Sequence, residues 1–157
     1  MAHKKKQKVV VVGGAGFIGS NLVDALVAKK FDVHVIDNLC AGKRENVHKQ
    51  ATLHVVDILN LKAIKPIMRG AVYVFHLAAL PRVQYSIEHP VETNAVNVGG
   101  MLNVLVAATD AKVKRLIYSA SSAAYGDSTK FPSKEEDLVN PKSPYGLHKY
   151  IGELYCR

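Results

Sequence analysis

The sequence predicts an α/β fold built on a doubly wound parallel sheet, and three observations carry that prediction. Short runs of β-branched residues alternate with amphipathic stretches of helical period from Lys8 to the last residues, the order produced when parallel strands are joined by crossover helices. The strand-like runs are apolar throughout rather than alternating, as strands covered on both faces are. A glycine cluster closes the first such run and opens the first helical stretch.

Element by element, "KVVVVGG" reads as a buried strand and "FIGSNLVDALVAKK" as a helix whose Ile18, Leu22, Ala25 and Leu26 share a face. "DVHVID" is a second strand and "TLHVVDI" a third, and "LKAIKPIMRG" is a short helix ending at Gly70. "VYVFHLAA" is a fourth strand, "VETNAVNVGGMLNVLVAATDA" a long helix and "KRLIYSAS" a fifth strand. "SPYGLHKYIGELY" opens the last helix, with Pro144 suited to its first turn. Right-handed crossovers place ligands outside the carboxyl ends of the strands, near the reversal in strand order. The one long polar loop, "GDSTKFPSKEEDLVNPKS", is long enough to point to function.

Length and composition set the bounds. At 157 residues, 48% hydrophobic and 22% charged, the chain suits one globular domain. Residues 1–7 read as a solvated basic tail and 8–157 as the domain. No apolar run reaches membrane-spanning length and the basic start lacks a signal-peptide cleavage region, so a cytoplasmic location is expected and no membrane partner. Cys40 and Cys156 make no disulfide framework. The net charge of +8 admits nucleic acid on charge alone. Much of it lies in Lys4, Lys5, Lys6 and Lys8, and the rest is scattered without interleaved aromatics. Such charge equally attracts an anionic small molecule, and nucleic acid is not the expected partner.

Gly13, Gly16 and Gly19 form G-x-x-G-x-x-G between strand and helix, one residue longer than G-x-G-x-x-G, with Gly14 as an extra glycine. These positions permit a tight turn, close approach of a pyrophosphate and close helix–strand packing, with the helix N-terminus facing the phosphates. In that context the fold is Rossmann-like and the ligand a dinucleotide. Asp37 ends the second strand eighteen residues after Gly19. A carboxylate there accepts both adenosine ribose hydroxyls and repels a 2′-phosphate, favouring NAD over NADP; the other reading is a strand-end turn residue. Asp57 ends the third strand, either beside the adenine or as the N-cap of a helix before "ILNL". In "HLAA" the small residues let a cofactor lie against the backbone, and His76 is read as packed, without a proton role. Ser119, Ser121 and Ser122 offer hydroxyls at the end of the fifth strand, or satisfy loop backbone. Tyr145 and Lys149 are four apart on one helix face. A phenol with pKa near 10 needs roughly 4 kcal/mol of differential interaction to act as a base near neutrality, and a neighbouring ammonium works in that direction.

Together "GGAGFIGSNLV", "DNLCAGKREN", "HLAALPRVQYSIEHP", "NVGGMLNVL", "SASSAAYGD" and "SPYGLHKYIGEL" resemble the extended short-chain dehydrogenase/reductases, and within them the nucleotide-sugar 4-epimerases acting on UDP-glucose or UDP-N-acetylglucosamine. The resemblance implies that Gly13, Gly16, Phe17 and Ile18 form the pyrophosphate loop. It implies ribose contacts from Asp37 and Asn38 with Gly42 and Lys43 nearby, and an adenine edge from Asp57 and Ile58. Leu77, Ala78, Ala79 and Asn97 would line the cofactor. Ser121, Tyr145 and Lys149 would be the catalytic set, with Ser121, Ser122 and Tyr145 meeting the sugar. Tyr145 would take the proton of the sugar 4-hydroxyl while NAD takes the C4 hydride, Ser121 would share that oxygen, and Lys149 would hold the ribose.

Related dehydratases carry an acidic residue just after their catalytic threonine, and related decarboxylases a glutamate there. Here Ser122, Ala123 and Ala124 follow Ser121, so no carboxylate is placed to drive elimination, which favours epimerisation. Val12 and Met101 stand where relatives commonly have threonine. Relatives of this kind are roughly twice as long, so the resemblance implies the cofactor-binding half, with the substrate domain absent from this chain and little turnover by the chain alone. It also implies a homodimer, which no spacing indicates. The alternatives are a nucleotide-sugar dehydrogenase or reductase, and a non-catalytic NAD-binding module.

Overall fold

The structure, a computed structural model, describes residues 6–127 and 132–157. The first five residues of the basic tail and residues 128–131 of the long polar loop lie outside the described residues. The chain forms two compact units, one running to Ala78 and including Asn103–Ser119, the other comprising Ala79–Leu102 and Ala120–Arg157.

The first unit holds five parallel strands, β1 (Lys8–Val12), β2 (Asp32–Asp37), β3 (Thr52–Val55), β4 (Ala71–His76) and β5 (Arg115–Tyr118), in the order β3-β2-β1-β4-β5. That is the doubly wound sheet the sequence predicts, with its reversal between β1 and β4. Val9 to Val12 are each 0% exposed, which is why the central strand reads as unbroken valine. Helices α1 (Phe17–Ala28) and α2 (Leu61–Met68) follow β1 and β3. The buried face of α1 is Gly19, Val23 and Leu26, not the face expected from Ile18 and Ala25, both of which are exposed. Apolar spacing fixed the helix but not its rotation, because the tight Gly19 contact described below pulls that side of the helix inward. Val23 and Leu26 pack with Val9, Val11, Val33 and Val35.

The second unit contains α3 (Val83–Glu88), α4 (Pro90–Asn94), a π-helical turn at Ala95–Gly100 and α6 (Pro144–Cys156). The backbone remains helical from Pro90 through α5 (Met101–Asp110), so the expected long helix exists, widened in the middle. Periodicity does not reveal α3, a helix of six residues. Val12 and Met101 are fully buried and serve the packing. Among the described residues no helix is long and apolar enough to cross a membrane.

Candidate functional site

In the first unit the site grows from the turn after β1. Gly13 has φ +84°, and a Cβ on it would lie 2.5 Å from the Ala78 backbone nitrogen. Neither conformation nor space admits a side chain. The backbone after β4 lies directly on this turn, with the Leu77 and Ala78 N–H groups donating to the Val12 carbonyl at 2.8 and 3.0 Å. A Cβ on Gly19 would collide with the Gly13 carbonyl oxygen, so the first turn of α1 also sits against the loop. Gly16 differs from both. A Cβ there would meet only the Gly13 oxygen, at 3.5 Å, an ordinary contact. Among the described residues no packing contact demands glycine at that position. Gly16 is also the N-cap of α1 and provides no side-chain cap. Phe17 and Ile18 beside it are 85% and 63% exposed.

Ala15, fully buried, is the hub of this loop. Its N–H donates to Asp37 Oδ2 at 2.9 Å, and its carbonyl accepts from the Lys43 N–H at 3.1 Å and from Asn46 Nδ2 at 3.0 Å. A Cβ on Gly42 would lie 2.8 Å from the Ala15 Cβ, so the segment after β2 is folded tightly onto the glycine loop. Asp37 Oδ1 accepts the Leu39 N–H at 2.8 Å, so this carboxylate makes the strand-end turn and also fixes the glycine loop. Asn38 Nδ2 donates to Asp57 Oδ2 at 2.9 Å, and Asp57 Oδ1 accepts the Leu59 N–H at 2.8 Å. Asp37, Asn38 and Asp57 are therefore neighbours at the ends of β2 and β3. Asp57 is not a helix N-cap: Asn60 caps α2, accepting the Ala63 N–H at 3.1 Å. Ile58 is buried, and its carbonyl accepts from Asn103 Nδ2 at 3.0 Å. His76 is 1% exposed and its ring lies against Tyr118, a packed histidine as expected.

In the second unit, Ser143 caps α6 by accepting the Gly146 N–H at 3.1 Å. A Cβ on Gly146 would lie 2.5 Å from the Ala123 carbonyl oxygen, so the start of α6 presses on the 3₁₀ turn Ser122–Ala124. Ser121 caps that turn, its Oγ accepting the Ala123 N–H at 3.2 Å. Ser121 and Tyr145 thus belong to one tightly packed corner, with Ser122 exposed beside them. Lys149 is 3% exposed, and its Nζ lies 5.9 Å from the centroid of the Tyr145 ring. Burial pushes the Lys149 ammonium down to about 8, because the charged form loses its hydration. Asn97, in the π-helical turn, is spent on the backbone of Leu80: Oδ1 accepts the Leu80 N–H at 2.8 Å and Nδ2 donates to the Leu80 carbonyl at 3.1 Å. It holds the segment that follows Ala79.

The sequence pattern of the NAD dependent epimerase/dehydratase family matches residues 9–157. The chain belongs to that family. Among relatives, it is 40% identical over 148 residues to the UDP-glucose 4-epimerase of Lactobacillus helveticus, covering 93% of this chain and 45% of that protein. It is 34% identical over 155 residues to the UDP-glucose 4-epimerase of Mycolicibacterium smegmatis, covering 94% of this chain and 50% of that one. The structure of the Thermus thermophilus UDP-glucose 4-epimerase in complex with NAD superposes with a TM-score of 0.90 at 38% identity, over 95% of this chain and 49% of the other. The UDP-N-acetylglucosamine 4-epimerase of Methanobrevibacter ruminantium superposes at 0.91 with 40% identity, over 97% and 50%. The chain spans about half the length of the relatives it matches.

Sequence reasoning missed four polar residues that this family member uses to hold its site: Asn46, Asn60, Asn103 and Ser86. Each acts on backbone; Asn46, Asn103 and Ser86 lie within the motif stretches but among residues to which no role was assigned, and Asn60 lies outside them. It also passed over His148, 5% exposed, whose Nδ1 is buried without a hydrogen-bond partner and whose pKa burial lowers.

Proposed function

We propose that the chain serves NAD-dependent epimerisation at C4 of a UDP-linked hexose or N-acetylhexosamine. The observation that carries this reading is the Tyr145 phenol paired on one helix face with the buried Lys149 ammonium. The Ser121-capped turn beside it offers only Ser122, Ala123 and Ala124, without a carboxylate. That set moves a proton and has nothing with which to drive elimination.

The first unit fits the dinucleotide. The uncapped start of α1 and the Gly16 position, which a Cβ would fill without protein clash, suit a pyrophosphate held by Gly13, Gly16, Phe17 and Ile18. Asp37 suits the adenosine ribose hydroxyls, with Asn38, Gly42 and Lys43 shaping that end, and its charge disfavours a 2′-phosphate. Asp57 and Ile58 suit the adenine edge, and Leu77, Ala78 and Ala79 the body of the cofactor. Asn97 fixes the loop after Ala79. NAD supplies a reversible hydride acceptor. Tyr145 would accept the proton of the 4-hydroxyl as C4 is oxidised and return a proton to the same oxygen when C4 is reduced again from its other face. Ser121 hydrogen-bonds the same oxygen, Ser122 borders the sugar, and Lys149 holds the nicotinamide ribose while its charge favours the phenolate. The family match over residues 9–157 supports treating 8–157 as one dinucleotide-binding domain. A cytoplasmic location belongs to the same proposal. So does a homodimer, for which exposed Leu147, Leu154 and Tyr155 of α6 offer apolar surface.

The test incubates the protein with NAD and either UDP-galactose or UDP-N-acetylgalactosamine, following C4 configuration by NMR and nicotinamide reduction by absorbance. Because these residues span about half the length of the relatives, little turnover is expected from them alone; the conversion that is measured is expected without net NADH, with Tyr145→Phe lowering it by about 10³ while NAD affinity stays within about twofold. Net NADH would instead identify a dehydrogenase. Unchanged UDP-sugars at high protein concentration, with NAD bound, would identify a binding module.

A further inference from the structure

The first turn of α6 accounts for all its backbone donors. Pro144 has no N–H, the Gly146 N–H goes to Ser143 Oγ at 3.1 Å, and the Leu147 N–H goes to the Ser143 carbonyl at 3.0 Å. The remaining donor is the N–H of Tyr145 itself, and its acceptor comes from a different helix. It donates to Ser86 Oγ of α3 at 3.1 Å, across 59 residues of sequence. Ser86 is 0% exposed. Its hydroxyl proton is committed to the Val83 carbonyl at 2.6 Å, so toward Tyr145 the oxygen acts only as an acceptor. The result is a directed chain from the Tyr145 N–H through the Ser86 hydroxyl to the Val83 carbonyl, in which each bond polarises the next.

We propose that Ser86 is a positioning residue for the proton-transfer chemistry, fixing the backbone of Tyr145, and thereby the place of its phenol, to α3 rather than to the loop that precedes α6. The proposal rests on the epimerase reading for its functional meaning and on the hydrogen-bond geometry for its substance. Ser143 provides the internal contrast. It caps the same turn but holds Gly146, whose backbone carries no reacting group. The two serines stabilise one helix start, and only one of them holds the tyrosine.

The experiment compares Ser86→Ala with Ser143→Ala in the whole chain. It reads amide hydrogen exchange at Tyr145 and the ring signals of Tyr145 in ¹³C-tyrosine-labelled protein, assigned with Tyr145→Phe. Ser86→Ala is expected to speed exchange at the Tyr145 amide by roughly tenfold to a hundredfold and to move the Tyr145 ring signals. Ser143→Ala is expected to lower thermal stability while leaving those ring signals in place. Ser86→Thr, which restores the hydroxyl, is expected to bring the Tyr145 amide back toward the parent rate. Where turnover is measurable, Ser86→Ala lowers kcat and leaves the NAD dissociation constant within about twofold. If Ser86→Ala does not fold, Ser86→Cys, which keeps the volume and weakens the acceptor, is read in the same way. A loss of stability with unchanged Tyr145 ring signals and amide exchange overturns the proposal. Because both readouts are independent of turnover, a chain that epimerises no sugar would sink the epimerase reading and still decide the role of Ser86.

Discussion

The starts of α1 and α6 are built from similar parts and left in opposite states. Each follows a loop at a strand end, and each has an N-cap residue in extended conformation, Gly16 in one and Ser143 in the other. At α6 the backbone donors are closed off by Ser143 and by Ser86. At α1 no side chain caps the helix, and the two residues that open it are exposed. A helix start has four orphan N–H groups, and it cannot give the same groups both to its own protein and to an anion. The first unit leaves the start of α1 without a side-chain cap. The second uses such groups to hold a tyrosine still. The open end therefore reads as a binding feature and the closed one as a device for placing a side chain.

The largest effect that would break this contrast is at Gly13. Gly13→Ala combines a left-handed backbone with a Cβ placed 2.5 Å from the Ala78 nitrogen, an atom that has no room to give. We expect a loss of about 3 kcal/mol in thermal or urea unfolding and loss of NAD binding together. A variant with parent stability would show that β4 does not press on the loop as described, and the open site would lose its rigid floor.

Next is the pH dependence set by Lys149. Burial lowers its pKa from 10.5 to about 8, so between those values the unfolded chain binds more protons than the folded one. Stability then rises with pH across that window, by about 3 kcal/mol from this group, and the gain is lost as pH falls through about 8. Lys149→Met is expected to flatten that rise relative to the parent protein, as read from melting temperatures over the same pH range. An unchanged slope would mean that the lysine is hydrated in solution, and the closed corner around α6 would be more open than its burial indicates.

Smaller again is Ser143→Ala, expected to lower stability by about 1 kcal/mol through loss of the Gly146 cap. The helix start was read from Pro144, and the structure adds Ser143 as its cap. Much else was readable for the same reason, that the contacts involved are local. The glycine loop, the strand-end Asp37 and the Tyr145–Lys149 spacing are short-range patterns, and the parallel, doubly wound class of the sheet follows from alternation and handedness. What the chain hid comes from competing local partners and from long-range contacts. Asn60 takes the cap that Asp57 was a candidate for, because the strand ends at Val55 and two further turn residues intervene. The buried side of α1 follows Gly19, whose role depends on a loop it touches rather than on hydrophobic spacing. Ser86 lies in a six-residue helix too short for a period to show, and its partner is 59 residues away.

The smallest change in stability is also the sharpest test of the comparison. Gly16→Ser would make α1 resemble α6 by giving it the side-chain cap it lacks. The backbone at Gly16 has φ −78° and ψ 177°, a conformation serine adopts readily, and the nearest atom to a new Cβ is the Gly13 oxygen at 3.5 Å. Serine in place of glycine at an N-cap is worth a few tenths of a kcal/mol, so the protein without ligand should melt at the same temperature or slightly higher. NAD affinity should fall by roughly tenfold, because the new hydroxyl accepts an N–H that the pyrophosphate would otherwise receive and its Cβ takes the space of a phosphate oxygen. Calorimetry of the unliganded protein and NAD titration separate the two effects. If affinity were unchanged, the open start of α1 would not be where the phosphates lie. If it fell as expected while stability rose, Gly16 would be shown to be kept at the expense of a better helix, which is what a residue selected for a ligand rather than for the fold should look like.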